Sequence, residues 1–205
     1  MKEVKMIKSF STLICKHLKK NNSSLTKTDL LKMQYTLEVI LGDISKLSLI
    51  FIIFLFFNEI PLFFLIFVIL ISTRTLGGGI HCKTYTSCLI VSTIYFLSIL
   101  LFSKSAIQLN INFYIVFFII SFIITLTYAP CKNEKRPIKN KTTLKILSLI
   151  SLTFWSILFF KLSDSKIYNC IFLSILIQII QLIIVNIKGV VRNAKIYKYF
   201  FSHTT

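Results

Sequence analysis

Six long apolar runs, near residues 40–57, 60–73, 87–102, 111–128, 144–161 and 167–187, leave this chain few ways to fold. Phe, Ile and Leu fill them, and Gly and Pro are scarce outside a few breaks. A chain of 205 residues that is 55% hydrophobic, with a mean hydropathy of +0.79, is expected to be a polytopic membrane protein rather than a soluble domain. In hydrocarbon every backbone N–H and C=O must be satisfied from within, so the runs are predicted to be helices. The alternating pattern of a membrane β-barrel is absent. The first two runs are joined by Asn58-Glu59-Ile60-Pro61, a tight-turn signal, because Pro61 ends one helix or opens the next. Both runs fall short of the roughly 20 apolar residues that a span requires, and the first reaches that length only by taking in Asp43 and Lys46. One long bent helix is the alternative to two spans. The expected fold is all-α, with about six transmembrane helices.

Ahead of the runs, Val4, Ile7, Phe10, Ile14 and Leu18 recur near helical spacing among six lysines, without the apolar core or small-residue cleavage site of a signal peptide. This pattern predicts an amphipathic helix lying on an anionic leaflet, the alternative being a frayed basic tail. Thr26 or Thr28 can cap a following helix that has Asp29 in its first turn and runs on into the first span. The expected organisation is a basic amphipathic segment over 1–25, one integral-membrane domain over 26–187 and a basic tail over 188–205.

A net charge of +17 ordinarily suggests nucleic acid. Here the charge sits between apolar runs. If the N-terminus is cytoplasmic and there are six spans, all of the 24 Lys and Arg except Lys104, Lys161 and Lys166 fall on the cytoplasmic side. The positive-inside rule therefore accounts for the charge and sets both termini inside, with no role for nucleic acid. The five cysteines show no disulfide framework and are expected as reduced thiols.

Chemistry concentrates at residues 74–88, Arg-Thr-Leu-Gly-Gly-Gly-Ile-His-Cys-Lys-Thr-Tyr-Thr-Ser-Cys, between the second and third runs and on the predicted cytoplasmic side. Thr84 or Ser87 can cap the third helix, which puts Cys88 in or beside its first turn. The partial positive charge there stabilises a thiolate, the nucleophilic form. An imidazole nearby, His81, can accept the thiol proton and later give it to a leaving amine. In one continuous helix His81 and Cys88 would lie roughly 10 Å apart along the axis, too far to bond, so the chain between them must leave the helix. Gly77, Gly78 and Gly79 give it that freedom, and their bare amides can hold a substrate strand or an oxyanion.

Each feature also has a plainer reading. The His can be a structural donor, the Cys a packing residue and the Gly run only a loop. Zinc on His81, Cys82, Cys88 and Cys131 is a competing reading, weakened by the lack of a close ligand pair. Cys15 and Cys170 look like packing residues. Asp43 and Lys46 can pair at i,i+3. Glu38 is a candidate to orient His81, against a plainer role as an interfacial charge. The basic stretch with Lys132, Lys135 and Arg136 can hold an acidic peptide, or it can simply be positive-inside charge. A transporter or a membrane scaffold remains the non-enzymatic alternative, although few charges line the helices for an ion path.

The pattern Arg74, then Gly78-Gly79-Ile80-His81, then Cys88 seven residues on, resembles the accessory gene regulator protein B (AgrB) family. So does Ala129-Pro130, a polar and basic stretch, then Pro137-Ile138 after the fourth run. Tyr35 to Glu38 is also similar, and the likeness extends over about residues 30–187. It implies a membrane cysteine endopeptidase with His81 and Cys88 as the catalytic pair and with no cofactor. The implied substrate is a propeptide of the AgrD type, with an amphipathic leader, a signal core and an acidic tail. The tail is removed, and the signal stays on the enzyme as a thioester until a Cys or Ser of the signal closes a ring for quorum sensing. A homodimer would fit the family. Cys82 stands where a small apolar residue is common in the family, and no third triad member is identifiable.

Overall fold

A computed structural model describes residues 2–22, 25–80, 84–105, 109–131, 140–162 and 164–201. Within them the chain forms seven helices: α1 (Lys2–Asn21), α2 (Lys27–Phe56), α3 (Ile60–Gly77), α4 (Tyr85–Ser103), α5 (Ile111–Tyr128), α6 (Lys141–Lys161) and α7 (Ser165–Phe201). Among the described residues six are long and apolar enough to cross a membrane: α2 to α6, and α7 over Ser165–Ile187. The protein is thus an all-α, multi-pass membrane protein, and every apolar run of the sequence has become a helix.

The first two runs form separate helices rather than one bent one. α2 stops at Phe56, and Asn58 takes a left-handed φ of 53°, a conformation that Asn tolerates better than most residues. Pro61 then falls in the first turn of α3, where its missing N–H has no helical partner to lose. α2 begins at a capping box: the Thr26 hydroxyl accepts from Asp29 N, and the Asp29 carboxylate accepts from Thr26 N. From there it runs unbroken for 30 residues. Asp43 and Lys46 therefore lie in the body of a helix.

Contacts divide the chain into two compact units, Met1–Ile60 with Cys82–Thr93, and Pro61–His81 with Ile94–Thr205. In the first, α1 packs on α2 through small side chains. Ser11 and Cys15 are buried, whereas Met6, Phe10 and Leu13 are exposed. Ser11 Oγ donates to Glu38 Oε1 at 3.3 Å, Gln34 Nε2 donates to the same oxygen at 3.0 Å, and Cys15 Sγ lies 3.9 Å from Leu30 O. Small residues at the contact let the helices approach closely. Of the apolar stripe, Ile7, Ile14 and Leu18 are half-buried on the same face as Ser11 and Cys15, and Phe10 is exposed.

In the second unit, α7 is the helix around which the core forms. Ile171, Ile175, Ile179 and Leu182 pack with Ile69 of α3, Tyr114 and Phe118 of α5, and Leu152, Trp155 and Phe159 of α6. Lipid supplies no hydrophobic drive between helices, so packing and hydrogen bonds must hold them. Tyr114 stands edge-on to Tyr168 and Phe172, with ring centroids 4.9 and 5.1 Å away. Trp155 Nε1 donates to Ser72 Oγ at 2.8 Å, Tyr95 OH to Ser174 O at 3.3 Å, and Asn169 Nδ2 to Ser105 O at 2.8 Å. Each bond joins segments far apart in sequence.

Candidate active site

Cys88 belongs to the first unit, at the N-terminal end of α4. Thr84 caps that helix: its Oγ1 accepts from Ser87 N at 3.3 Å and lies 2.8 Å from Ser87 Oγ. Its carbonyl accepts the first helical bond, from Cys88 N, at 3.1 Å. The half-buried Cys88 therefore closes the first turn, where the helix dipole presents partial positive charge.

A full charge lies beside it. Lys46 Nζ is 3.3 Å from Cys88 Sγ. The same ammonium pairs with Asp43 one turn back along α2 and lies 5.8 Å from the centroid of the Tyr85 ring. Tyr85 is fixed in turn, its hydroxyl 2.9 Å from Ser45 Oγ and its ring against buried Gly42, where an added Cβ would meet ring carbons at 3.6 and 3.7 Å. The side chain of Lys46 is 12% exposed and that of Asp43 59%. Asp43 thus stays exposed while Lys46 is drawn inward to the sulfur. From sequence the Asp43–Lys46 pair is foreseen but its approach to Cys88 is not. The available signal is the position itself, a lysine within an apolar run.

The glycine turn belongs to the second unit. α3 ends at Gly77, and Gly78 N bonds to Arg74 O at 2.9 Å. That amide is therefore engaged in ending the helix, not bare. Gly78 has a φ of +87°, and a Cβ there would come within 2.9 Å of Cys131 Cβ. Gly79 is closely approached too: its Cβ would lie 2.9 Å from Gln181 Oε1 and 3.3 Å from Arg74. Gly77 meets only ordinary contacts at 3.8 Å and beyond. Gln178 Nε2 donates to Gly78 O at 2.7 Å, Cys131 N to Gly77 O at 3.0 Å, and Arg74 Nη2 to Ile80 O at 2.7 Å. Thr73, Gly77, Thr125, Ser148 and Gln178 line a cavity of about 20 Å³ beneath the turn.

Burial pushes the Cys131 thiol up, against the smaller opposing effect of the Asn186 amide 3.5 Å from its sulfur, and Cys131 packs beside the turn. Glu38, a candidate to orient His81, has Ser11 and Gln34 as partners. His81 and Cys82 lie outside the described residues, as do Lys132, Lys135 and Arg136 of the basic stretch. Among the described residues, no group of three His, Cys, Asp or Glu is gathered to hold a metal.

The family model for accessory gene regulator B matches residues 11–182. A relative from Clostridium beijerinckii, named only by its likeness to AgrB, is 62% identical over 200 residues, covering 98% of this chain and all of its own length. A second relative named in the same way, from Clostridium acetobutylicum, is 27% identical over 205 residues, with 98% of this chain and 94% of its own covered. No solved structure matches.

Proposed function

The chain belongs to the accessory gene regulator B family, components of the agr quorum-sensing system, and from that membership we propose that it is a cysteine endopeptidase that removes the acidic tail of an AgrD-type propeptide and helps close the signal into a ring. One observation above all supports this reading. The Cys88 sulfur lies at a helix N-terminus with a lysine ammonium 3.3 Å away, so negative charge formed on it during the reaction meets positive charge on both sides.

In this mechanism His81 takes the proton of Cys88, and the thiolate attacks the scissile carbonyl. The imidazolium then protonates the departing amine, which leaves with the tail. The acyl group stays on Cys88 as a thioester. A thiol or hydroxyl of the peptide attacks the same carbon and releases the ring. Exchange between two thiols is close to energetically neutral, so exclusion of water, not driving force, decides between ring closure and hydrolysis. Lys132, Lys135 and Arg136 attract the acidic tail. Arg74 holds Ile80, the residue before His81. The site works on the cytoplasmic side of the cell membrane, with both termini inside.

The test is co-expression with the propeptide. Wild-type protein converts it. Cys88→Ala and His81→Ala leave it uncut, with losses of at least about a hundredfold for the base variant. Cleavage by either variant at the wild-type rate would overturn the assignment.

A further inference from the structure

We infer that Lys46 is a third catalytic group of this site, holding the Cys88 sulfur as an anion before attack and receiving it again when the acyl group departs. The inference rests on Cys88 being the nucleophile, but it concerns a contact that does not depend on any peptide being present.

Three observations carry it. First, the geometry is that of a charge-assisted contact: Nζ to Sγ is 3.3 Å, and an ammonium has three donors and no acceptor. It can share itself between Asp43 and the sulfur, but it has no lone pair with which to take the thiol proton. That proton goes to His81, and Lys46 acts on the charge left behind. Second, the ammonium is largely withdrawn from solvent while its carboxylate partner is not. A withdrawn charge acts more strongly on a neighbour than a solvated one does. Third, Lys46 is held from several sides. The Asp43 pair, the Tyr85 face, the bond of Tyr85 to Ser45 and the bare backbone of Gly42 behind the ring all define where Nζ sits. A lysine carried only to snorkel toward water needs no such setting.

The steps balance without any further reagent. Cys88 S–H gives its proton to the imidazole, and the thiolate pairs with Lys46. The S–C bond forms, the C–N bond breaks, and the proton leaves on the amine. The sulfur is now a neutral thioester, and Lys46 retains Asp43. The peptide's own thiol or hydroxyl then gives its proton to the imidazole and attacks. The C–S bond breaks, its electron pair returns to Sγ, and the thiolate meets the same ammonium. Lys46 therefore assists both halves of the reaction.

The experiment measures alkylation of Cys88 by iodoacetamide in membranes, in a chain whose other four cysteines are replaced, from pH 6 to pH 10. Lys46→Met is expected to slow alkylation about tenfold at pH 7, with rates approaching the wild-type rate toward pH 10. Lys46→Arg restores most of the neutral-pH rate because it keeps the charge. The shared rate toward pH 10 shows that the sulfur is equally accessible in the variants. An unchanged profile in Lys46→Met, or Arg behaving like Met, would overturn the inference. Cleavage of the propeptide by Cys88→Ala would instead remove the peptidase reading while leaving the alkylation result standing.

Discussion

Gly77, Gly78 and Gly79 lack a side chain for different reasons. Gly77 is helical and its surroundings have room, so Gly77→Ala is expected to be neutral or mildly stabilising. Gly78 needs both its left-handed φ and the space beside Cys131, where backbone lies as well as side chain. Gly78→Ala is expected to cost at least about 2 kcal/mol. Gly79→Ala falls between them, because the atom it meets first is the end of a flexible glutamine. Thermal unfolding of the three detergent-solubilised variants checks the order, and equal losses at Gly77 and Gly78 would contradict it. The glycine run is plain in the sequence. Which glycine is indispensable is not, because that depends on where α3 stops and on Cys131 from beyond α5. Cys88 and Lys46 differ in the same way. The helix start at Thr84 can be read locally from its hydroxyl and the run that follows. The Lys46–Cys88 contact joins positions 42 apart, and no local rule supplies it.

Among the helices, hydropathy did most of the work, since a run that cannot hydrogen-bond to lipid has one solution. The length of α2 is legible as well. Thr26 and Asp29 start it well before the apolar run, and nothing between them and Phe56 breaks it. This carries Gln34 and Glu38 up to α1 on the same helix that carries Lys46 to the sulfur. Periodicity marks the face of α1 that meets α2, since Ile7, Ile14 and Leu18 are half-buried on it, but its fully buried positions are the small Ser11 and Cys15, because close approach outweighs apolarity at a helix contact in lipid. Ser11→Leu is therefore expected to separate α1 from α2 at a cost of about 1–3 kcal/mol. Faster tryptic cutting at the α1 lysines in inverted vesicles would register it, and unchanged cutting would mean that the contact carries little weight.

Across the chain, the proposed orientation puts most of the basic residues on one side of the six candidate spans. It can be checked with single cysteines in a cysteine-free background. Lys104→Cys is expected to react with a membrane-impermeant maleimide in intact cells, and Lys141→Cys only after permeabilisation. The reverse pattern would invert the proposed orientation and move the acidic tail of any substrate to the wrong face. Family membership could be read from Arg74, Gly78-Gly79, His81 and Cys88 because these lie close together in sequence. The lysine that completes the surroundings of the sulfur could not, because it comes from another membrane span.

The way α4 begins has a consequence for the tetrahedral adduct. In many thiol and serine hydrolases the nucleophile's own N–H steadies the negative oxygen of that adduct. Here the amide of Cys88 is already bound to the Thr84 carbonyl, and that of Ser87 to the Thr84 hydroxyl. In the mechanism proposed above, an adduct on Cys88 therefore draws its donors from elsewhere, and a mutation aimed at that task belongs outside these two positions.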